Sequence, residues 1–424
     1  MTPIKEILSK SLFKVASLNG ISILIKICIG FVTSKFIALF IGPSGMALVG
    51  NLRNFLTTIE SIGTLGFQNG IVKYVAECQE DNLKLKQTIS TIFASVLIIC
   101  LLLAIGLFVF SNQLNVAIFG LNYHFSFIFK VLAIAIPFYV GTIVLIAVIN
   151  GFSYFKKVIY INIIGNIVGL LATIVLIWKF KIEGALIGIV LTPSLLFFVS
   201  YAFLNSEIKL LKDIKLKFFE FTILKNLSSY SLMALVSSVI GPIVYLAIRN
   251  TIIQDMGIEK AGYWEALTRI SSYYFMFVSS IVSLYFLPKL AIAKDDLETK
   301  SLFLSYYRGI LPVFIFALVL IYCTRDFIIE LLFTSEFKPM STLFFWQLVG
   351  DTCKAASLIL GMQFFAKKLT KAFIFSELFS LVILYGSSFY FLSMYQIEGV
   401  VIAHAFTYFI YMITLMVYFR RNLL

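Results

Sequence analysis

Twelve apolar segments, each of about 20 residues or more, succeed one another along this chain, and no other feature limits its fold so tightly. They fall near 13–40, 46–72, 88–110, 125–150, 158–178 and 184–205, and then near 227–248, 262–288, 302–322, 340–365, 372–394 and 399–419. A helix rises about 1.5 Å per residue, so about 20 residues cross the hydrocarbon layer of a bilayer. Charged residues make up 13% of the 424 and hydrophobic ones 60%, with a mean hydropathy of +0.99. Soluble domains carry roughly a quarter charged residues, so this composition cannot furnish a water-facing surface. The pattern predicts an all-α, polytopic integral membrane protein with about 12 transmembrane helices in two six-helix lobes. The expected division is an N-lobe over 1–206, a cytoplasmic linker over 207–225 and a C-lobe over 226–424.

The charges set an orientation. The net charge of +13 first raises nucleic acid, but no Lys/Arg block is long enough to track a phosphate backbone. With both termini cytoplasmic, 20 Lys/Arg fall in inside segments and six in outside loops, as the positive-inside rule requires. The basic excess therefore reads as topology, and no nucleic-acid partner is expected. Residues 1–12 lack the features of a cleavable signal, so the first apolar run is expected to be kept as a span. Five cysteines without a CxxC pair and two histidines, His124 and His404, argue against a disulfide framework and a metal centre.

The halves resemble one another. "KIEGALIGIVLT" (181–192) matches "QIEGVVIAHAFT" (396–407) at an offset of 215, and at 216 Arg53 meets Arg269 and Lys73 meets Lys289. Six spans per half make the repeats parallel, a transporter plan with the substrate site between halves.

Charges inside spans cost at least a few kcal/mol at the bilayer centre, which makes them the best functional pointers. Arg53, Thr57, Glu60 and Thr64 lie on one face of the second span, and Asn19, Lys26 and Thr33 on one face of the first. In the tenth, Gln347, Asp351 and Lys354 share a face. One reading is an aqueous cavity lined by Lys26, Arg53, Arg269 and Lys354, suited to an anionic headgroup, since Arg forks onto phosphate oxygens and Lys acts as a point charge. The other makes Lys26–Glu60 and Asp351–Lys354 structural ion pairs. His404, on an apolar helix, reads as a bonded packing residue before a proton relay.

Seven stretches, "IGPSGMALVGNLRNF", "FQNGIVKYVAE", "SLMALVSSV", "YLAIRN", "GYWEALTRIS", "YFLPKL" and above all "FWQLVGDTCKAASLILG", give the chain a resemblance to a known family. It resembles the Wzx polysaccharide flippases of the multidrug/oligosaccharidyl-lipid/polysaccharide superfamily, in the branch that handles enterobacterial common antigen and related O-antigen units. The resemblance covers nearly the whole chain. It implies a fold like that of the multidrug exporters of the superfamily. It also implies translocation of an undecaprenyl-pyrophosphate-linked oligosaccharide to the periplasmic leaflet of a bacterial inner membrane, with no enzymatic step and no cofactor. Membrane lipid, a polysaccharide polymerase and a chain-length regulator are the implied partners.

Onto matching positions it places Arg53, Lys73, Arg249, Gln347, Asp351 and Lys354. Gln347 joins the substrate-binding set, Glu60 and Asp351 are coupling or ion-pair candidates, Arg249 is a periplasmic-end candidate, and Lys73 and Lys289 are cytoplasmic-end candidates. The family pattern that the chain resembles has, in many members, Gln after the Trp and Asp after the "IS" of the eighth span. Glu265 and Ser272 stand there in this chain, which weighs against an acidic coupling role in that span. The alternatives are a drug or cation exporter of the same superfamily and a polytopic glycosyltransferase or polymerase using lipid-linked sugars. The basic interior charges disfavour the first, and the absence of a long outer loop disfavours the second.

Overall fold

The computed structural model describes residues 3–205 and 214–423. Lys209 and Lys212 of the expected linker, and the side chain of Asn19, lie outside what is described. Among the described residues the chain is helical throughout, with no strand. Among the described residues, nine segments are long and apolar enough to cross a membrane. The helices are α1 (Pro3–Gly63), α2 (Gln68–Glu77), α3 (Asn82–Val109), α4 (Ser111–Phe119), α5 (Ser126–Gly151), α6 (Phe155–Asn205) and α7 (Phe221–Met256). There follow α8 (Ile258–Ile281), α9 (Leu287–Ile292), α10 (Asp296–Ser305), α11 (Leu311–Cys323) and α12 (Arg325–Leu332). The last are α13 (Phe344–Ala366), α14 (Thr370–Tyr395), α15 (Glu398–Tyr418) and α16 (Arg420–Leu423).

Two helices are each a pair joined across one residue. In α1 the break is Gly42, at φ 69° and ψ −167°, followed by Pro43; glycine reaches such a φ without steric penalty and proline opens the next helix. In α6 it is Lys181, at φ 49° and ψ −120°. The expected spans at 13–40 and 46–72 thus lie on either side of Gly42. The second of them was read too long. A turn through Leu65 and Gly66, both at positive φ, ends α1 at Gly63 and sets α2 apart.

The internal repeat is visible in the backbone. Positive φ recurs at a spacing of 215 in Gly42 and Gly257, Ser153 and Lys368, and Lys181 and Gln396. Around the second of these pairs the hydrogen bonds correspond one for one. Phe152 N–H donates to Val148, Ser153 to Asn150 and Tyr154 to Ile149; Lys367 donates to Gln363, Lys368 to Phe365 and Leu369 to Phe364. Asp81 caps α3 by accepting from Leu83 and Lys84, and Asp295 caps α10 by accepting from Glu298. Gly184 lies against the carbonyl of Leu176 and Gly399 against that of Phe391, again 215 apart. Chance likeness between apolar segments does not reproduce caps, turns and close approaches together.

Two compact units divide the chain. The first is Met1–Phe36 with Asn51–Ile243, and the second is Ile37–Gly50 with Val244–Leu424. In the first, α5 is the enclosed helix, packed by α2, α3, α4 and α6. Asn51 donates to the carbonyl of Ile118, 2.7 Å away, and ties α1 to α4. Residues 214–220 lie along α3, with the N–H groups of Lys215 and Glu220 bonded to the hydroxyls of Ser90 and Thr91. In the second unit α13, the repeat equivalent of α5, is the enclosed helix, packed by α15, α11, α9 and α14. The segment 37–50 packs on α8. A Cβ at Gly262 would meet the carbonyl of Pro43 at 1.9 Å, and one at Gly50 would meet the Glu265 carboxylate at 2.4 Å.

Candidate functional site

Polar side chains gather in two places in the second unit. On α8, Glu265 and Arg269 are one turn apart, and Glu265 Oε1 accepts from Arg269 Nε at 2.9 Å. The other carboxylate oxygen accepts from Arg249 Nη2 of α7 at 2.6 Å. The guanidinium of Arg249 lies 5.3 Å from the Trp264 ring, and Tyr245 stacks on that ring from 5.8 Å. All three charged groups are buried. Two arginines against one carboxylate leave a net positive charge, and Nη1 and Nη2 of Arg269 have no hydrogen-bond partner among the described residues. A buried ion pair holds only while both partners stay, since removing one strands a charge at about 3–5 kcal/mol.

The second gathering centres on Asp351, with no exposed surface, in the middle of α13. Its Oδ1 lies 2.9 Å from His404 Nε2 of α15. Its Oδ2 accepts from the hydroxyls of Ser271, at 2.7 Å, and Tyr274, both on α8. Gln347, one turn earlier, donates from Nε2 to Asp351 at 3.3 Å and to Ser271 Oγ at 3.2 Å. Gly350 makes room for the imidazole: a Cβ there would meet His404 Cδ2 at 2.4 Å. Every group around the carboxylate can donate, so an ionised carboxylate, acceptor only, satisfies the set.

Lys354, one turn past Asp351, does not pair with it. Its ammonium sits over the rings of Phe275, at 4.7 Å, and Tyr408, at 5.1 Å, a cation–π arrangement. It lines a largely apolar cavity of about 180 Å³ with Phe365, Phe373, Tyr408 and Tyr411. Glu377 of α14 is within electrostatic reach. The expected Asp351–Lys354 ion pair gives way because four other donors already surround the carboxylate.

In the first unit Glu60 accepts from the Tyr139 hydroxyl at 3.3 Å and from Gln68 Nε2 at 3.5 Å, with Lys26 in electrostatic range. Lys26 and Arg53 are exposed, and the carbonyl of Arg53 accepts from Thr57. Thr64, on the same face, is buried and back-bonds to the Glu60 carbonyl at 2.9 Å. Of the end candidates, Lys73 pairs with Glu77 at 3.7 Å, and Lys289 lies 3.7 Å from the Tyr285 ring centre. Within the second unit, Arg249 joins Arg269 through Glu265, and Gln347 joins Asp351. Within the first, Lys26, Arg53 and Glu60 share α1. Sequence reasoning missed Ser271, Tyr274 and Tyr139, and the bridging role of Glu265. Ser271 and Tyr274 carry an i, i+3 spacing on α8, the one signal available beforehand.

Long paired apolar helices, a duplicated half and charged clusters in the membrane interior define a multi-pass helical membrane protein of transporter architecture. Over 94% of both chains the fold matches a multidrug resistance transporter of the MATE family in its inward-facing conformation, with a TM-score of 0.81 at 13% identity. It matches the lipid II flippase MurJ, inward closed, over 96% of this chain and 87% of that one, with a TM-score of 0.73 at 16% identity. The family described as Polysaccharide biosynthesis protein matches residues 12–294, and this chain belongs to it. A relative along nearly its full length is the lipid III flippase of Escherichia coli (strain K12), 27% identical over 401 residues, 95% of this chain and 96% of the relative.

Proposed function

We propose that this protein is a flippase that carries an undecaprenyl-pyrophosphate-linked oligosaccharide from the cytoplasmic to the periplasmic leaflet of a bacterial inner membrane. The observation that carries the reading is the likeness to a lipid III flippase along nearly the full length of both chains. The task fits the chemistry. Sugars and pyrophosphate cannot enter hydrocarbon unaided, whereas a polyprenyl tail stays in lipid, so the protein supplies a polar, cationic path and no bond is made or broken.

Arg53, Arg269, Lys26, Lys354 and Gln347 are the proposed substrate contacts. Lys354 is supported by its place: its ammonium lies over the Phe275 and Tyr408 rings and lines a largely apolar cavity. Twelve spans, both termini in the cytoplasm and alternating access complete the reading; a polymerase and a chain-length regulator are its proposed neighbours. The test is purified protein in liposomes containing fluorescent lipid-linked oligosaccharide, scored by protection of the sugar from an external reagent. Faster loss of protection than in empty liposomes is expected. Equal rates with and without protein overturn the reading.

A further inference from the structure

The duplicated fold allows a comparison of its two halves at the same positions. In the second unit Gln347, Asp351 and His404 stand together on α13 and α15. At an offset of 215 the corresponding residues on α5 and α6 are Leu132, Ile136 and Ile189, and Leu132 and Ile136 have no exposed surface. At these three positions the same helix pair therefore carries aliphatic side chains in one half. The fold does not need a carboxylate and an imidazole here, and burying them costs several kcal/mol unless they are fully satisfied. One atom is not: Gln347 Oε1 is buried without a partner.

We propose that Asp351 and His404 form a binding site for a single proton, and that loading and unloading of this proton couples flipping to the proton gradient. The proposal rests on the flippase reading. The proton resides on the imidazole: with His404 neutral, Nε2–H donates to Asp351 Oδ1, and uptake at Nδ1 gives an imidazolium facing a carboxylate.

Within the second unit, the described charged and titratable surroundings come from the helices packed around the pair. Tyr274 donates from α8, which also carries Glu265 and Arg269; with Arg249 of α7 they make the triad whose net charge is positive. Lys354 lies one turn along α13, Glu377 faces that lysine from α14, and the hydroxyls of Tyr408 on α15 and Tyr245 on α7 are in electrostatic reach of Asp351. Tyr411 of α15 faces Glu377, and Tyr306 and Tyr307 are tied to the α13 carbonyls of Ala355 and Ala356. Asp351, Lys354 and Glu377 sum to one negative charge with His404 neutral and to zero with it protonated. One proton therefore changes the charge of this group of side chains by a full unit. A sodium ion suits the geometry less well, because His404 Nε2 already occupies Oδ1 and the Ser271 and Tyr274 hydroxyls turn their protons toward Oδ2.

The chain has only two histidines, which makes a direct test practical. In a His124→Gln background, ¹⁵N-histidine NMR of the purified protein reads His404 alone. Its ring-nitrogen resonances are expected to respond to pH, and Asp351→Asn to displace that response, because a charge partner is lost. In liposomes, one coupled proton per cycle changes the steady-state distribution of substrate by up to about tenfold per imposed pH unit.

His404→Gln, which keeps a donor toward Asp351, is expected to lose that dependence while still flipping without a gradient. Glu60→Gln is expected to keep it. The proposal is overturned if His404 does not titrate, if His404→Gln remains gradient-dependent, or if the rates follow sodium in place of pH. Failure of wild-type protein to flip under any gradient would instead remove the flippase reading, and the NMR titration stands apart from that outcome.

Discussion

Glu265 holds Arg269 from one turn away on the same helix and Arg249 from the neighbouring helix, a carboxylate oxygen for each. Gly50, its repeat equivalent at 215, has no side chain and lies where the carboxylate needs space. The glutamate closes an ion triad with the two arginines. The acid therefore serves the arginines, and the proton site lies elsewhere, on α13.

Glu265→Ala is accordingly expected to destabilise the protein by about 3–5 kcal/mol by stranding two buried cations, measured by unfolding in detergent. Glu265→Gln should lie between, since its amide oxygen still accepts while the charge is gone. In an Arg249→Leu background the loss from Glu265→Ala should shrink; an unchanged loss would mean that the triad is not the source.

Gly184 and Gly399 make the same demand in the two halves. An alanine Cβ would stand 1.9 Å from the Leu176 carbonyl in one case and 2.2 Å from the Phe391 carbonyl in the other. Each Gly→Ala change is expected to cost about 1–3 kcal/mol, as overpacking does. Gly386, with open space around it, is the control, where alanine should be neutral or stabilising by about 0.5–1 kcal/mol in a helix interior. Melting curves of the three variants decide the matter.

Arg53 and Arg269, matched in sequence at an offset of 216, are exposed in the first unit and buried in the second, while the backbone repeat at 215 sets Asn54 opposite Arg269. Alanine at either is expected to abolish or strongly reduce flipping, and lysine to restore part at most, because the fork is lost. A well-expressed double-alanine variant with normal transport leaves them structural roles only.

Asp81 offers a pH-dependent observable. The backbone N–H of Lys84, foremost, holds its carboxyl below the usual range. A depressed native pKa stabilises the α3 terminus fully above the unfolded value and loses that contribution as pH falls through the native one. Hydrogen exchange at Leu83 and Lys84, corrected for intrinsic rate, should therefore speed up below about pH 4, and Asp81→Ala should show the faster exchange at every pH.

Topology is checked by reporter fusions. Those after residues 120 and 335 should report the periplasm and those after 155, 215 and 370 the cytoplasm. A periplasmic signal at 215 would break the parallel two-half plan.

Much of this was legible beforehand, and the failures share a cause. The Trp-Gln-x-x-Gly-Asp-x-x-Lys spacing puts Gln347 and Asp351 on one face because a helix repeats every 3.6 residues, and they are bonded as that implies. The partner of Asp351 could not be read the same way. His404 is 53 positions away, and only helix packing chooses it over a lysine one turn along. The span at 46–72 ran too long because hydropathy does not register a change of φ at Leu65. The repeat was legible as letters at 181–192 and 396–407. Its left-handed residues are lysine and glutamine, so nothing in their chemistry announced the break.

The joints at Gly42, Lys181 and Gln396 reverse or redirect a helix within one or two residues. They contain no spare chain. An affinity tag or protease site inserted at any of them has to unwind the helix ends on both sides. The stretch 120–125 is different, a true loop held by Asn115 through the Tyr123 carbonyl and the Phe125 N–H. Genetic access to this protein is thus uneven by construction, generous where a loop is pinned at its base and closed where a single residue does the turning.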